Sequence, residues 1–482
     1  MKYVLTIIIV LFVSTSGQSE LEKRMKELKR KTQNEMHKQR KEVQDYISKQ
    51  DSLFTEFLKK EWELYKGKTS PTNFKNPKPK EPPAVKPKKK ESPEEEEQIT
   101  LPEPKETTPQ EKIAPKKSSP QGYTQKARID FFGNKIVLHY SNNFVPGLQA
   151  PYNNKKLGRI WEKLAQTNYK NFVEQLKTQK RQIKLNGWGI YSLIKTIGDN
   201  LAKNQQNSVI FSWFFLNKLG YKTKIGREDN KLYLLMPSNT MLYSRSYITV
   251  NSSKYFVLNA KDENQLQIKT YDSNYPGASQ NLTLKLNQIP DFTHNSQKKS
   301  IEFQYKSKTY HISINLNSNL IQYFSKYPQT EYQIYLNSPM SPEMKSNLVN
   351  SLRPYIQDRT RAQAVNFLLS FTQKAFKYKR DHDQFGYEKS MFPEETLYYK
   401  YSDCEDRSAL FSYLIRKLLG LEIIGLKYPG HLATAVNLDN IKGDKINWEG
   451  KDYIICDPTY INSKIGQSLP KFKNSSPEII VP

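Results

Sequence analysis

The chain has 482 residues, which is too long for one ordinary hydrophobic core, so we expect two or more domains. Lys and Arg outnumber Asp and Glu by 75 to 48, and the mean hydropathy of −0.77 predicts sizeable solvated segments. No zinc-finger spacing, basic zipper or aromatic RNA-binding motif accompanies the net charge of +27, so we interpret it as lysine-rich solvation and expect no nucleic-acid partner.

Residues 1–17 have the pattern of a secretory signal peptide. Lys2 supplies a positive start, Val4 to Val13 is an apolar run that is short for a membrane span, and Thr15-Ser-Gly offers small residues for cleavage. A retained anchor is the alternative, but we expect no stable membrane attachment. The pattern predicts an exported protein in the periplasm, in the medium or at the cell surface.

Two very different segments follow. In residues 18–66, apolar residues recur at helical spacing, as at Leu21, Met25 and Leu28, which predicts an amphipathic helix or weak coiled coil. This helix either packs onto the later domains or mediates oligomerisation or partner binding. Residues 67–125 are dominated by Pro, Lys, Glu and Ser and have almost nothing to bury, so we expect a disordered linker.

The remainder is predicted to be α+β, with one domain at 126–299 and another at 300–482. In the first domain we expect a hairpin at 129–140, helices at 161–176, 188–203 and 209–219, and strands at 232–236, 247–250 and 255–258. In the second we expect a hairpin at 301–314, a strand at 332–336, helices at 342–356, 361–376 and 405–419, and strands at 423–428, 432–437 and 453–456.

These two domains show signs of an internal repeat. Phe211-Ser-Trp matches Phe411-Ser-Tyr 200 residues later, and the Leu-Gly pair at 219–220 recurs at 419–420. We therefore expect the first domain to be a degenerate copy of the second. It would carry Asn204, Tyr233 and Asn259 near the positions that Cys404, His431 and Asp457 occupy in the second domain.

Three residues of the second domain have the pattern of a thiol-dependent catalytic site. Cys404 opens a predicted helix, and the positive end of a helix dipole favours the thiolate form of a cysteine. Its acidic neighbours oppose that form, so a cationic partner is needed, and His431 at the start of a strand is suited to supply it. Asp457 ends a nearby strand and can orient the imidazole through one ring nitrogen. The order along the chain is nucleophile, base and orienting acid.

These motifs carry a resemblance to a known family. Ser402-Asp-Cys-Glu-Asp-Arg, Gly430-His-Leu-Ala-Thr-Ala-Val and Cys456-Asp-Pro-Thr-Tyr resemble, in this order, the motifs of the transglutaminase-like superfamily. Phe392-Pro-Glu-Glu-Thr-Leu is similar to the loop before the nucleophile in bacterial members. The resemblance covers roughly 359–482, and the whole chain is similar to exported transglutaminase-domain proteins of Bacteroidetes-type bacteria.

The resemblance implies a papain-like fold and acyl transfer through a thioester at Cys404, with His431 as general base and acid and Asp457 as its orienting partner. It implies a protein or peptide substrate and neither cofactor nor metal. The backbone N–H of Cys404 and a side chain within 397–401 are both candidate oxyanion donors. We expect hydrolysis of amide bonds, as in a peptidase or amidase, and the alternatives are a protein-crosslinking transglutaminase and a non-catalytic binding or scaffolding protein with a relic triad.

Other polar motifs are interpreted as structural. Cys456 lies in an apolar strand and is expected to be buried core, although pairing with Cys404 stays open. Asp381-His-Asp could bind a metal, but a solvated loop is the interpretation we favour.

Overall fold

The structure is a computed structural model that describes residues 15–71, 78–85, 125–202, 204–260 and 266–482, with only the backbone described for 15–21. Most of the predicted signal peptide and most of the predicted linker lie outside these residues. None of the helices in the described ranges combines the length and the apolar character that crossing a bilayer requires. The chain is a mixture of helix and sheet, as expected for an α+β protein.

The first half is built on one large antiparallel sheet. Its helices are α1 Thr15–Lys59, α2 Asn154–Ala165, α3 Tyr169–Gln182, α4 Gly187–Leu201 and α5 Gln205–Lys218, with a short 3₁₀ turn at Asn142–Phe144. Its strands are β1 Glu63–Lys66, β2 Lys68–Thr69, β3 Gln125–Phe131, β4 Asn134–Tyr140, β5 Lys224–Glu228, β6 Lys231–Pro237, β7 Ser246–Val250, β8 Ser253–Val257 and β9 Gln267–Thr270. The large sheet has the order β1-β9-β5-β6-β8-β7-β2, and β3 and β4 form the predicted hairpin beside it.

The second half repeats this combination on a smaller scale. Its helices are α6 Ser318–Ser325, α7 Tyr332–Leu336, α8 Pro342–Ile356, α9 Arg361–Lys374, α10 Asp381–Phe385, α11 Pro393–Tyr398 and α12 Cys404–Leu414, which continues through a wide π-helical turn at Ile415–Leu419. Its strands are β10 Ser296–Tyr305, β11 Lys308–Asn317, β12 Lys377–Tyr378, β13 Tyr401–Ser402, β14 Ile423–Tyr428, β15 His431–Asn437, β16 Lys445–Trp448, β17 Lys451–Cys456 and β18 Glu478–Ile480, with a 3₁₀ turn at Pro470–Phe472. Its main sheet has the order β16-β17-β15-β14-β18.

The two main sheets share one topology. After α5, the chain forms the order β9-β5-β6-β8-β7, and after α12 it forms β18-β14-β15-β17-β16, with every neighbouring pair antiparallel. In both sheets the strand order departs from the chain order in the same two places. In both, the last strand of the set returns to pair beside the first.

The registers of the two sheets also agree. Lys224 lies opposite Leu235, and the residues 200 positions later, Ile424 and Ala435, are likewise opposite each other. The other strand pairs correspond as well. Leu235–Val257 corresponds to Ala435–Ile455, Ile248–Tyr255 to Ile446–Tyr453, and Arg227–Lys269 to Lys427–Glu478. A one-residue slip would exchange the two faces of a strand, so agreement at every pairing is a strict match.

The N-terminal segments differ from the prediction. The helix ends at Lys59, earlier than expected, because Trp62 is buried in the core of the first half. Strands β1 and β2 then form the two edges of the large sheet. Phe54 and Leu58 are buried in the first core, so the end of α1 packs onto the following domain. The earlier turns of α1 expose their apolar side chains, namely Met25, Leu28, Met36, Val43 and Tyr46.

Three other expectations are corrected. The predicted linker is not structureless throughout, since 68–69 form β2 and residues 78–85 lie against the second half. The predicted helix at 161–176 is two helices, α2 and α3, because the chain leaves α2 after Ala165 and restarts at Tyr169. The predicted strand at 332–336 is the short helix α7, whose apolar residues pack beside α12.

Candidate active site

The helix α12 begins directly at Cys404. Asp403 has an extended backbone, φ −119° and ψ −152°, and its N–H donates to Oδ2 of Asp406 at 3.1 Å, which fixes the first turn. Every residue from Cys404 to Leu414 is buried, and Cys404 itself is 1% exposed. The fully buried guanidinium of Arg407 donates to the carbonyl oxygens of Gln373 and Phe376 and so ties α12 to the end of α9.

Strand β15 brings His431 to the same helix. The hydroxyl of Ser408 on α12 donates to the carbonyl oxygen of Leu432 at 3.0 Å. Cys404 and Leu432 share one buried apolar cluster, and the backbone N–H of Leu432 hydrogen-bonds to the sulfur. The thiol therefore lies against the residue that directly follows His431.

His431 and Asp457 form a buried pair. Nε2 of His431 lies 2.7 Å from Oδ2 of Asp457, and each residue is 1% exposed. The imidazole stacks on Phe472, with ring centroids 5.5 Å apart and planes within 12° of parallel. The pair is possible because β15 and β17 are neighbours in the sheet, with Thr434 opposite Cys456.

Asp457 is held rigidly from its other side. Its Oδ1 accepts hydrogen bonds from the backbone N–H groups of Thr459 and Tyr460 at 2.9 and 3.1 Å. Its own carbonyl oxygen accepts from the side-chain amide of Gln373 at 3.0 Å. One carboxylate oxygen is thus engaged by the turn and the other remains with the imidazole, which is the arrangement that orients a catalytic histidine.

Burial disfavours the charged form of the Cys404 thiol in this arrangement. Its hydrogen-bond partner among the described side chains is Oε2 of Glu405 at 3.2 Å, and not His431. Burial raises the pKa of the Cys404 thiol well above its ordinary value, and the neighbouring charges of Glu405 and Asp403 raise it further. The expected cation beside these acids exists, but it is a residue that the sequence analysis assigned to the linker.

That cation is Lys78, and it lies in a pocket of four carboxylates. Its ammonium group, only 4% exposed, lies 3.1 Å from Oδ2 of Asp381, 2.8 Å from Oδ2 of Asp403 and 2.5 Å from Oε1 of Glu388. It also pairs with Oε1 of Glu405, the residue that accepts the thiol hydrogen bond through its other oxygen. We call Asp381, Glu388, Asp403 and Glu405 the acidic pocket.

The charges of the acidic pocket are strongly coupled. Burial opposes the charge on Lys78, but Asp403, Glu405 and Asp381 together raise the pKa of its ammonium group well above the ordinary value. Burial, and then the charge of Asp403, raises the pKa of the Asp381 carboxyl to about 7. One ammonium group therefore cannot fully neutralise four carboxylates, and part of the negative charge of the pocket is suppressed by protonation of Asp381 near neutral pH.

Asp381 does not lie in the solvated loop that the sequence suggested. It is buried at the start of α10. Its carboxylate lies within 4.8 Å of those of Asp403 and Asp406, and likewise of those of Glu388 and Glu405. His382 and Asp383, the other residues of that motif, are exposed. The cation seated among these oxygens is the ammonium group of Lys78.

The chain around Lys78 continues across the site. The hydroxyl of Tyr378 donates to the carbonyl oxygen of Pro79 at 2.9 Å. Further along, Ile461 donates its N–H to the carbonyl oxygen of Pro83 at 2.7 Å and accepts from the N–H of Val85 at 2.9 Å. We call residues 78–85 the strap, which runs from the acidic pocket to the segment that follows Asp457.

Sequence reasoning named the three central residues but missed their surroundings. The surplus of acids around Cys404 did indicate a missing cation, which was assigned to His431. Nothing in the composition separates Lys78 from the other lysines of the same Pro-rich segment. Cys456 is a free, buried cysteine, as expected, and burial raises the pKa of its thiol.

The equivalent positions in the first half hold different chemistry. The shared register puts Lys231 at the position of His431, two residues before Tyr233, and Asn259 at the position of Asp457. Asn259 accepts from the N–H of Leu234 at 2.7 Å and donates to the carbonyl of Leu232 at 2.9 Å. It extends the β-ladder and has no imidazole to orient.

Comparisons with known proteins add nothing to this description, because no family model, no curated protein and no solved structure matches the chain.

Proposed function

We propose that this protein is an exported thiol enzyme of the transglutaminase-like type that cleaves or transfers amide bonds through Cys404, His431 and Asp457. The observation that carries the proposal is the buried 2.7 Å contact between His431, at the start of the strand that packs against the helix opened by Cys404, and Asp457, which follows the neighbouring strand. A buried imidazole held at Nε2 by a fixed carboxylate has its other nitrogen, Nδ1, available for a proton transfer.

The first half-reaction forms a thioester. The proton of the Cys404 thiol moves to Nδ1 of His431, and the sulfur attacks the carbonyl carbon of the substrate amide. The C–N bond then breaks, and the protonated imidazole gives its proton to the departing amine. Asp457 stabilises the imidazolium between these two transfers, and the backbone N–H of Cys404, at the positive end of α12, is suited to the developing oxyanion.

The second half-reaction releases the acyl group. His431 takes a proton from water while the water oxygen attacks the thioester carbonyl, and the C–S bond breaks to return a neutral thiol and a carboxylic acid. An amine in place of water would give crosslinking by the same steps. We favour hydrolysis because water is abundant outside the cell.

A non-catalytic binding protein is the second candidate. The neutral, buried thiol hydrogen-bonded to Glu405 favours it, because an inert cysteine has this environment. We also propose that the first half is a degenerate copy of the second. The shared strand order and register support this, and Lys231 and Asn259 make it non-catalytic.

Acyl transfer to Cys404 tests the proposal directly. The protein is incubated with p-nitrophenyl acetate, and acetyl groups on Cys404 are measured by mass spectrometry with and without mild hydroxylamine treatment. This treatment removes thioesters and spares lysine amides. We expect a hydroxylamine-sensitive acetyl group on Cys404 and release of p-nitrophenol above the rate of Cys404→Ala, with Cys456→Ala as a matched, active control. Equal rates in the wild type and Cys404→Ala, with no thioester, would favour the binding protein.

A further inference from the structure

The strap has the form of a bound peptide. Pro79, Pro82 and Pro83 restrict it to extended conformations, and Ala84 forms a parallel bridge with Ile461. Its two hydrogen bonds with Ile461 use both polar groups of that residue's backbone. Addition of an extended segment to an exposed backbone edge is a common way in which proteins bind peptides.

The strap is attached on both sides of the proposed catalytic residues. At one end, Lys78 contacts Asp403 and Glu405, the two neighbours of Cys404 in the chain. At the other end, the pairing partner Ile461 comes four residues after Asp457. A peptide reaching Cys404 would have to share this surface with the strap.

Lys78 is also linked to the state of the thiol. Its ammonium group holds Oε1 of Glu405, while Oε2 of the same carboxylate accepts the hydrogen bond from Cys404. The strap thus fixes the carboxylate that engages the thiol and keeps that thiol from His431. Burial contributes most to the raised pKa of Cys404, whereas the charge of Lys78 lowers it, so we expect the strap to act on Cys404 through access and not through the pKa of the thiol.

Apart from the ion pairs of Lys78 with the acidic pocket, few interactions hold the described part of the strap. Lys78 is its one fully buried residue, while Lys80, Glu81 and Ala84 are exposed and the rest are half-buried. Segments with a small buried area and few backbone hydrogen bonds open at lower free energy than the domain to which they are attached. We therefore expect the strap to open without unfolding of the domain, once Lys78 separates from the acidic pocket.

We propose that the strap is an intramolecular inhibitor that occupies the substrate groove beside Cys404, and that the groove accepts an extended peptide whose lysine side chain enters the acidic pocket. This rests on the proposed function for the identity of Cys404 as nucleophile. The proposal adds that the chain has a closed state and that the groove binds extended peptides carrying a positive charge. Occupation in cis by Lys78 is the observation that defines that class.

The first test measures access to Cys404. In the full chain, residues 78–85 are replaced by an octapeptide of alternating Gly and Ser, and the rate of alkylation by iodoacetamide is measured at high pH by mass spectrometry. We expect at least a tenfold faster reaction of Cys404 than in the wild type. Lys80→Ala, an exposed change in the same strap, should label at the wild-type rate, and protection of Cys456 reports that the domain is folded.

Peptides in trans test the specificity of the groove. A synthetic peptide with the sequence of residues 78–85, blocked at both ends, should slow alkylation of the strap-replaced protein in a saturable way. The same peptide carrying Lys78→Ala should have little effect. Equal inhibition by both peptides would overturn the assignment of the acidic pocket to a lysine side chain.

A second variant keeps the test valid if the replacement destabilises the domain. Ala84→Cys with Ile461→Cys joins the two bridge partners, and the oxidised protein carries the strap locked in place. Cys404 should be alkylated at least tenfold more slowly in the locked form than in the wild type. Unchanged rates in the locked form, or wild-type rates in a folded strap-replaced protein, would overturn the proposal.

These measurements are separable from the proposed function because they report access to the sulfur and do not need turnover. Faster labelling without the strap that is independent of His431 would support the inhibitor and contradict the enzyme. Labelling that depends on His431 but is unaffected by the strap would do the reverse.

Discussion

The buried carboxyl of Glu394 gives a quantitative prediction about stability. Glu394 lies in α11, is 1% exposed, and accepts hydrogen bonds from the N–H and the hydroxyl of Ser341. Burial raises the pKa of its carboxyl from the usual 4.5 to about 7, against the smaller effect of the Ser341 hydrogen bonds. A group with a raised acid pKa binds its proton more tightly in the folded chain, so it destabilises the fold once the pH exceeds its unfolded pKa.

The size of the effect follows from the shift. A shift of about 2.5 units corresponds to about 3 kcal/mol at 1.36 kcal/mol per unit. This penalty is absent below about pH 4, grows as the pH rises, and is complete above about pH 7. Glu394→Gln keeps an acceptor for the Ser341 N–H and removes the charge, so it should be near neutral at pH 4 and stabilise by up to about 3 kcal/mol at pH 8.

Urea unfolding of the wild type and Glu394→Gln at several pH values measures this difference. Subtracting the two curves removes the contributions of other titrating groups, such as Asp381. The exposed residue Glu61 provides a matched control, because Glu61→Gln removes a carboxylate from the surface and should change stability little. A difference for Glu394→Gln that does not change between pH 4 and pH 8 would refute the reasoning.

Three further predictions concern the two cores. Lys218→Met should destabilise the first half by about 3–5 kcal/mol in urea unfolding, because it leaves the buried carboxylate of Asp51 without its cation. Adding Asp51→Leu should recover most of the lost stability. An unchanged unfolding midpoint for Lys218→Met would contradict this. Asn259→Ala should cost about 1–3 kcal/mol in the same assay by leaving two backbone groups of β6 unpaired, while Asn259→Asp should confer no acyl transfer. Cys456→Ala should leave the alkylation rate of Cys404 unchanged; faster labelling would mean that Cys456 supports the closed site.

Local patterns in the sequence were sufficient for much of the second half. The pattern of 301–314 predicted the hairpin of β10 and β11, the patterns of 423–428 and 432–437 predicted the strands β14 and β15, and the apolar face after Cys404 predicted α12. Cys404, His431 and Asp457 were named from their placement at element ends, and the structure brings them to neighbouring elements. The strand expected at Tyr332–Leu336 was wrong because five mostly apolar residues fit a short helix against α12 as well as a strand.

The strap could not be predicted for a physical reason. Its composition is poor in apolar residues, and composition measures only what a segment can bury by itself. Lys78 is ordered by four carboxylates supplied by residues about 300 positions later, which no local window contains. The shared register of the two sheets was similarly inaccessible, because it depends on pairings between distant strands.

The pH dependence of Cys404 alkylation tests the central claim, that Cys404 and His431 act as a pair. Iodoacetamide labelling is followed from pH 5 to pH 10 in the wild type, His431→Ala and the control His382→Ala, whose imidazole is exposed on α10. Strap opening itself varies with pH through Asp381 of the acidic pocket, and it should do so equally in the three proteins, so the difference between their profiles is the readout. We predict a reactive limb below about pH 8.5, the ordinary thiol pKa, in the wild type and His382→Ala that disappears in His431→Ala. Profiles of one shape in all three proteins would contradict the account.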